Sequence, residues 1–196
     1  MRRQRTSSWR RFDPDAGALP GVAAAQPALV RGPCRILGLD PGSVRTGYGI
    51  VDCDGSAQRH VSSGCIRPPT GPMAQRLRYI YDALAALVEE HRPQEVAIER
   101  VFMHRNPDSA LKLGQARGVA MCAAVGGGAR VFEYAPRAVK LALVGTGSAE
   151  KAQVQHMVRV ILSLEQEMEM DVSDALALGL CHSQTRRVGL LLDTTP

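Results

Sequence analysis

The chain has 196 residues, a formal charge of +5 and 45% hydrophobic residues, enough for one domain with its own core and no disulfide or metal staple. No run approaches the roughly 18 apolar residues of a membrane span, and the arginine-rich start lacks the apolar stretch of a secretory signal, so a soluble cytoplasmic protein is expected. The five cysteines, Cys34, Cys53, Cys65, Cys122 and Cys181, are widely separated and show no CxxC pairing, which reads as buried thiols in a reducing compartment.

Charge is unevenly spread. Residues 1–33 hold six arginines against two aspartates, so four of the five net positive charges belong there. Arg, Ser, Pro, Gly and Ala dominate that stretch without apolar periodicity, and ordering it would cost entropy that little burial offsets. It reads as a disordered extension or an over-called start, ahead of a domain over 34–187 and a frayed tail over 188–196. Residues 101–160 carry eight Lys or Arg against three acids, whereas 165–174 is strongly acidic. A basic face beside an acidic pocket suits phosphate binding with metal catalysis.

In chain order, apolar runs at 35–40 and 46–52 flank a glycine-containing turn, and a third run follows at 59–66; three hairpin strands fit. Leu77, Ile80, Tyr81, Leu84, Leu87 and Val88 recur at helical spacing, predicting a helix over 73–91 closed before Pro93. A strand is expected over 95–101, a small-residue helix over 108–124, a strand over 130–134 and a short helix over 136–144. A helix over 148–164 takes Ser148 as its cap, and a last helix spans about 171–185. Three hairpin strands followed by strands alternating with helices make an α/β layer structure: a five-stranded mixed sheet, three strands antiparallel and then parallel ones, with helices on both faces.

Four acids carry the chemistry. Asp40 ends an apolar strand within Asp-Pro-Gly, where turn chemistry competes with function. Glu99 lies in Val-Ala-Ile-Glu-Arg-Val, where a buried carboxylate needs a cation, an arginine or an edge position. Asp171 and Asp174 share one face at a helix start, where helix capping explains one Asp better than two. Together they can converge, and four negative charges match two divalent cations, the clamp for in-line phosphodiester hydrolysis. Oxygen-only ligation selects Mg²⁺ or Mn²⁺ over zinc.

Lys140 and Lys151 flank Gly145-Thr-Gly-Ser-Ala-Glu, a glycine-rich turn into a helix start suited to backbone phosphates. The Walker spacing is absent, which argues against a nucleotide loop. Arg105, with Lys112 and Arg117, reads as a solvated charged face or a phosphate contact. His156 and His182 read as packed or solvated.

The segment Ile-Leu-Gly-Leu-Asp-Pro-Gly-Ser-x-x-Thr-Gly-Tyr-Gly at 36–49 resembles the opening strand-turn-strand of the RuvC family of Holliday-junction resolvases. Residues 97–119 are similar to that family's second catalytic strand and following helix. Residues 144–156 and Asp171-Val-Ser-Asp-Ala-Leu-Ala-Leu resemble its DNA-contacting helix start and paired terminal acids. The resemblance spans about 34–186 and departs at the acidic linker before Asp171 and the apolar tail. It implies a ribonuclease H-like fold, with Asp40, Glu99, Asp171 and Asp174 as catalytic metal ligands for two Mg²⁺ per subunit, Mn²⁺ able to substitute. It further implies Phe102 stacking on unpaired bases, DNA contacts from Arg105, Lys140 and Lys151, and a homodimer built on Ala110, Leu111, Leu113, Gly114, Ala120 and Met121. The implied activity is paired symmetric nicking of a four-way junction in recombination and repair, with a branch-migration helicase complex as partner. Two alternatives remain: a phosphotransferase of the actin or sugar-kinase type, because 39–49 also resembles their first phosphate loop, and a junction-binding protein without catalysis.

Overall fold

The computed structural model describes residues 28–100 and 107–192. One five-stranded sheet organises them, in the order β3-β2-β1-β4-β5. The strands are β1 (Cys34–Asp40), β2 (Thr46–Asp54), β3 (Ala57–Ile66), β4 (Glu95–Glu99) and β5 (Arg130–Tyr134). β1, β2 and β3 pair antiparallel, while β4 and β5 extend the sheet in parallel with β1. This is the mixed five-stranded sheet that the order of apolar runs implies, and the ribonuclease H-like arrangement that the family resemblance implies.

Helices α1 (Met73–His91) and α2 (Pro107–Gly126) cover one face; α3 (Pro136–Val144), α4 (Lys151–Leu162) and α5 (Met170–Leu192) cover the other. Strand alternation divides the core accordingly. Leu37, Leu39, Ile50, Val96 and Ile98 pack beneath α1 and α2, whereas Cys34, Ile36, Val51, Cys53 and Ala97 meet α3, α4 and α5. α5 is the central helix, buried along most of its length, which explains why its sequence is apolar nearly all round rather than striped.

Several boundaries differ from the sequence expectation. α4 begins at Lys151, and its N-cap is Glu150, whose N–H donates to the Gln153 side chain at 2.8 Å. Ser148 instead bonds Thr146 through its hydroxyl, a competing local partner that pattern reading does not rank. α5 continues to Leu192, past the expected end near Thr185, because Arg186 is drawn into the core.

The start of the folded unit also lies earlier than residue 34. Val30 N–H donates to Glu95 at 2.6 Å, Arg186 donates to the carbonyls of Val30 and Gly32, and Arg130 donates to the carbonyl of Ala28. Leu29 packs on Gly189. Cys34, Cys53 and Cys181 are buried as expected, but Cys65 is half-buried and Cys122 is exposed. Among the described residues, no helix is long and apolar enough to cross a membrane.

Candidate active site

Two strand ends and one helix start build the site. β1 and β4 run parallel with Leu39 beside Ile98, so the next residue of each strand, Asp40 and Glu99, emerges at the same edge. α5 then crosses β1 and β2 at very close range. A Cβ on Gly38 would lie 1.9 Å from the Ala175 carbonyl oxygen, and one on Gly47 would lie 1.9 Å from that of Asp171. Only glycine permits this approach, which brings the first turns of α5 over the ends of the sheet.

The result is a cleft of about 170 Å³ lined by Asp40, Glu99 and Asp174 together with Lys140, Lys151 and the apolar residues of α3, α4 and α5. Lys151 Nζ donates to Asp174 Oδ2 at 3.1 Å. Lys140 faces the same space from α3. Asp171 stands at the rim, outside this lining. It faces Arg45 at 3.8 Å and groups with Cys65 and Glu169, their ligand atoms within 4.8 Å of one another. Arg67 pairs with Glu169 there.

Electrostatics unite the four acids more tightly than the lining does. Burial pushes the Asp40 carboxyl up to about 7, and the negative charges of Asp174, Glu99 and Asp171 push in the same direction, only partly opposed by Lys151. Lys151 responds conversely. Burial would lower its pKa, but Asp174, Asp40 and Glu99 hold it above the ordinary lysine value. A cluster that raises its own central pKa holds more negative charge than its lysines neutralise. Its donors are carboxylate oxygens, so the residues present fit a hard divalent cation rather than a thiophilic one.

Of the sequence-predicted contacts, Lys140 and Lys151 enter the cleft, while Phe102 and Arg105 lie outside the described residues. Arg117, read as a solvated or phosphate-facing charge, instead turns inward: it bonds the Glu99 carbonyl at 3.0 Å and Glu133 at 2.7 Å, bracing the end of β4. The proposed dimer face is divided. Ala120 is fully buried within the subunit, whereas Gly114 is exposed and Leu111 is 63% exposed.

Sequence reading missed the ionic cluster at the opposite end of β4. Glu95, fully buried, accepts from His182 Nε2 at 2.8 Å and Arg186 Nε at 3.0 Å. His182 Nδ1 meets Tyr134 Oη at 2.5 Å. The available signal was the pair of ionisable residues at 182 and 186, four apart and therefore on one face of the helix, just after the apolar run 175–181.

A family model described as crossover junction endodeoxyribonuclease RuvC matches residues 36–182. The chain is 59% identical over 148 residues to the crossover junction endodeoxyribonuclease RuvC of Alkalilimnicola ehrlichii, spanning 76% of this chain and 90% of that relative. It is 56% identical over 153 residues to the corresponding protein of Methylococcus capsulatus, spanning 78% and 92%. The structure of Thermus thermophilus RuvC in complex with Holliday junction substrate superposes with a TM-score of 0.76 at 34% identity, covering 80% of this chain and 96% of that one. With a matching domain, strand order and spacing, the chain belongs to the RuvC family of crossover junction endodeoxyribonucleases.

Proposed function

We propose that this protein resolves Holliday junctions, cutting two opposed strands by paired symmetric nicks in homologous recombination and DNA repair. The carrying observation is the convergence of Asp40, Glu99 and Asp174 in one cleft, where burial and then the neighbouring negative charges raise the Asp40 pKa, within a family whose T. thermophilus member is solved with that substrate. The phosphotransferase alternative lacks support, since the single sheet provides one lobe for the site.

Asp40, Glu99, Asp171 and Asp174 would hold two Mg²⁺ ions, with Mn²⁺ as a substitute, and the ions would supply an activated water and charge stabilisation at the leaving 3′ oxygen, giving 5′-phosphate ends. The chain's own groups do the positioning. Lys151 keeps Asp174 oriented through its 3.1 Å bond until phosphate competes for the ammonium, and Lys140 presents a second positive charge to the backbone. Phe102 is assigned to stacking on an unpaired base and Arg105 to a backbone phosphate.

The two-fold near-symmetry of a four-way junction calls for a C2 dimer with one site per subunit. The exposed Leu111 and Val125 of α2, with Tyr79 and Tyr81 of α1, give that interface an apolar patch. A cytoplasmic location and cooperation with a branch-migration helicase complex complete the reading.

The test is cleavage of an end-labelled four-way junction beside linear duplex in Mg²⁺, with the native chain and Asp174→Asn. Paired nicks confined to the junction and lost in the variant are expected. Tight junction binding without nicks under any divalent ion would sink the enzymatic reading.

A further inference from the structure

Cys34 and Cys53 are directly opposed across the antiparallel β1–β2 pair. Both side chains fall on the same sheet face, in the core cluster under α5. Opposed residues on antiparallel strands hold their Cβ atoms roughly 4.5–5.5 Å apart, close to the roughly 3.5–4.5 Å that a disulfide spans, so a small shift at the strand end suffices. The two residues already touch: Cys53 Sγ donates to the Cys34 carbonyl oxygen at 3.2 Å.

The pair is buried, each residue 3% exposed, yet not sealed. Both cysteines line an open cavity of about 730 Å³, ample for a tripeptide-sized reagent, whose walls carry Arg35, Arg59 and Arg92 beside Asp52, Asp54 and Glu90, with Arg35 and Arg59 both paired to Asp52. On the protein side, Arg186 Nη1 approaches Cys53 Sγ at 3.6 Å. The adjacent Cys34 side chain and the positive charge of Arg186 lower the Cys53 thiol, while the adjacent Cys53 side chain and burial raise Cys34. One sulfur is thus prepared to attack and the other to resolve.

We propose that Cys34 and Cys53 are a modification site, closed into a reversible disulfide by an oxidised low-molecular-weight thiol that enters this cavity. Cys53 thiolate attacks one sulfur of glutathione disulfide, forming a mixed disulfide and releasing one glutathione thiolate. Cys34 then loses its proton to solvent and attacks Cys53 Sγ, expelling the second. The protein gives up two hydrogens and two electrons, and the reagent leaves as two molecules of glutathione. The link fastens β1 to β2 at the sheet end opposite the carboxylates. Cys122, exposed on α2, stops at a mixed disulfide.

The experiment treats the full chain with glutathione disulfide and maps linkages by mass spectrometry without reduction. The expected result is a Cys34–Cys53 cross-link that dithiothreitol reverses and a higher melting temperature, since closing this loop restricts the unfolded chain. Cys34→Ala should instead trap one glutathione on Cys53. A linkage between other cysteines, or modification confined to Cys122 in the native chain, overturns the proposal whether or not the variant folds.

Discussion

β4 and α5 each carry ionisable groups at both ends, and the two ends are built on opposite plans. At one end Glu99 and Asp174 stand with Asp40 around a cleft where burial and the neighbouring acids raise the Asp40 carboxyl's affinity for protons. Four residues away on the same strand, Glu95 is fully buried and satisfied. Burial would push its carboxyl up, but hydrogen bonds from His182 and Val30 N–H, with the charge of Arg186, hold it below the ordinary glutamate value. A buried carboxylate needs positive charge. At the far end the protein supplies it in full through Arg186, whereas at the near end Lys151 offsets only part of the negative charge around Asp40.

Substitutions should separate the two plans. The largest effect is expected from Glu99→Gln: junction cleavage in Mg²⁺ should fall by about 10³-fold or more, corresponding to several kcal/mol of lost metal-assisted stabilisation, while the melting temperature in EDTA stays level or rises. Single-turnover cleavage and calorimetry check both. Arg186→Met should do the reverse, costing about 3–5 kcal/mol by leaving Glu95 short of its cation, with cleavage per folded molecule largely retained. Urea denaturation measures the loss, and equal stability would erase the distinction between the ends.

Gly47→Ala should sharpen the comparison further. Its Cβ would collide with the Asp171 carbonyl, and overpacking of this kind costs about 1–3 kcal/mol. Unlike Arg186→Met it should also weaken Mg²⁺ binding, measured by titration, because the start of α5 must withdraw. The smallest effect is on pH dependence. Asp40 ionises near the ordinary carboxylate value when unfolded but at about 7 when folded. Between those values the folded state holds a proton that the unfolded state has lost, so metal-free stability should fall as pH rises from about 4 to 7. Melts in EDTA at pH 5 and pH 8 test this, and Mg²⁺ should reverse the loss at pH 8.

How much of this was legible in sequence depends on range. Helix α1 and strand β5 begin and end where periodicity, Pro93 and neighbouring glycines place them, because those signals are local. The carboxylates were visible individually through their positions at strand and helix ends. Three of them line the cleft, but the rim position of Asp171 was not visible, since it follows from Arg45 and the packing of α5 on Gly47. The Glu95–His182–Arg186 cluster was hidden for the same reason: its members are up to 91 residues apart, and no spacing rule connects them. The expected cap at Ser148 failed because its hydroxyl bonds Thr146, while the helix starts at the Glu150–Gln153 box, with Glu150 N–H donating to the Gln153 side chain.

The anchoring of Arg186 bears on where this domain can be cut. The span matched by the family model, 36–182, excludes both Arg186 and the carbonyls of Val30 and Gly32 that it holds. Trimming to that span would leave Glu95 with His182 as its remaining side-chain partner and expose the cysteine-bearing face that α5 covers. The unit held together by these contacts therefore extends beyond the matched span at both ends, and two short flanking segments supply the partners of Glu95 and Arg186.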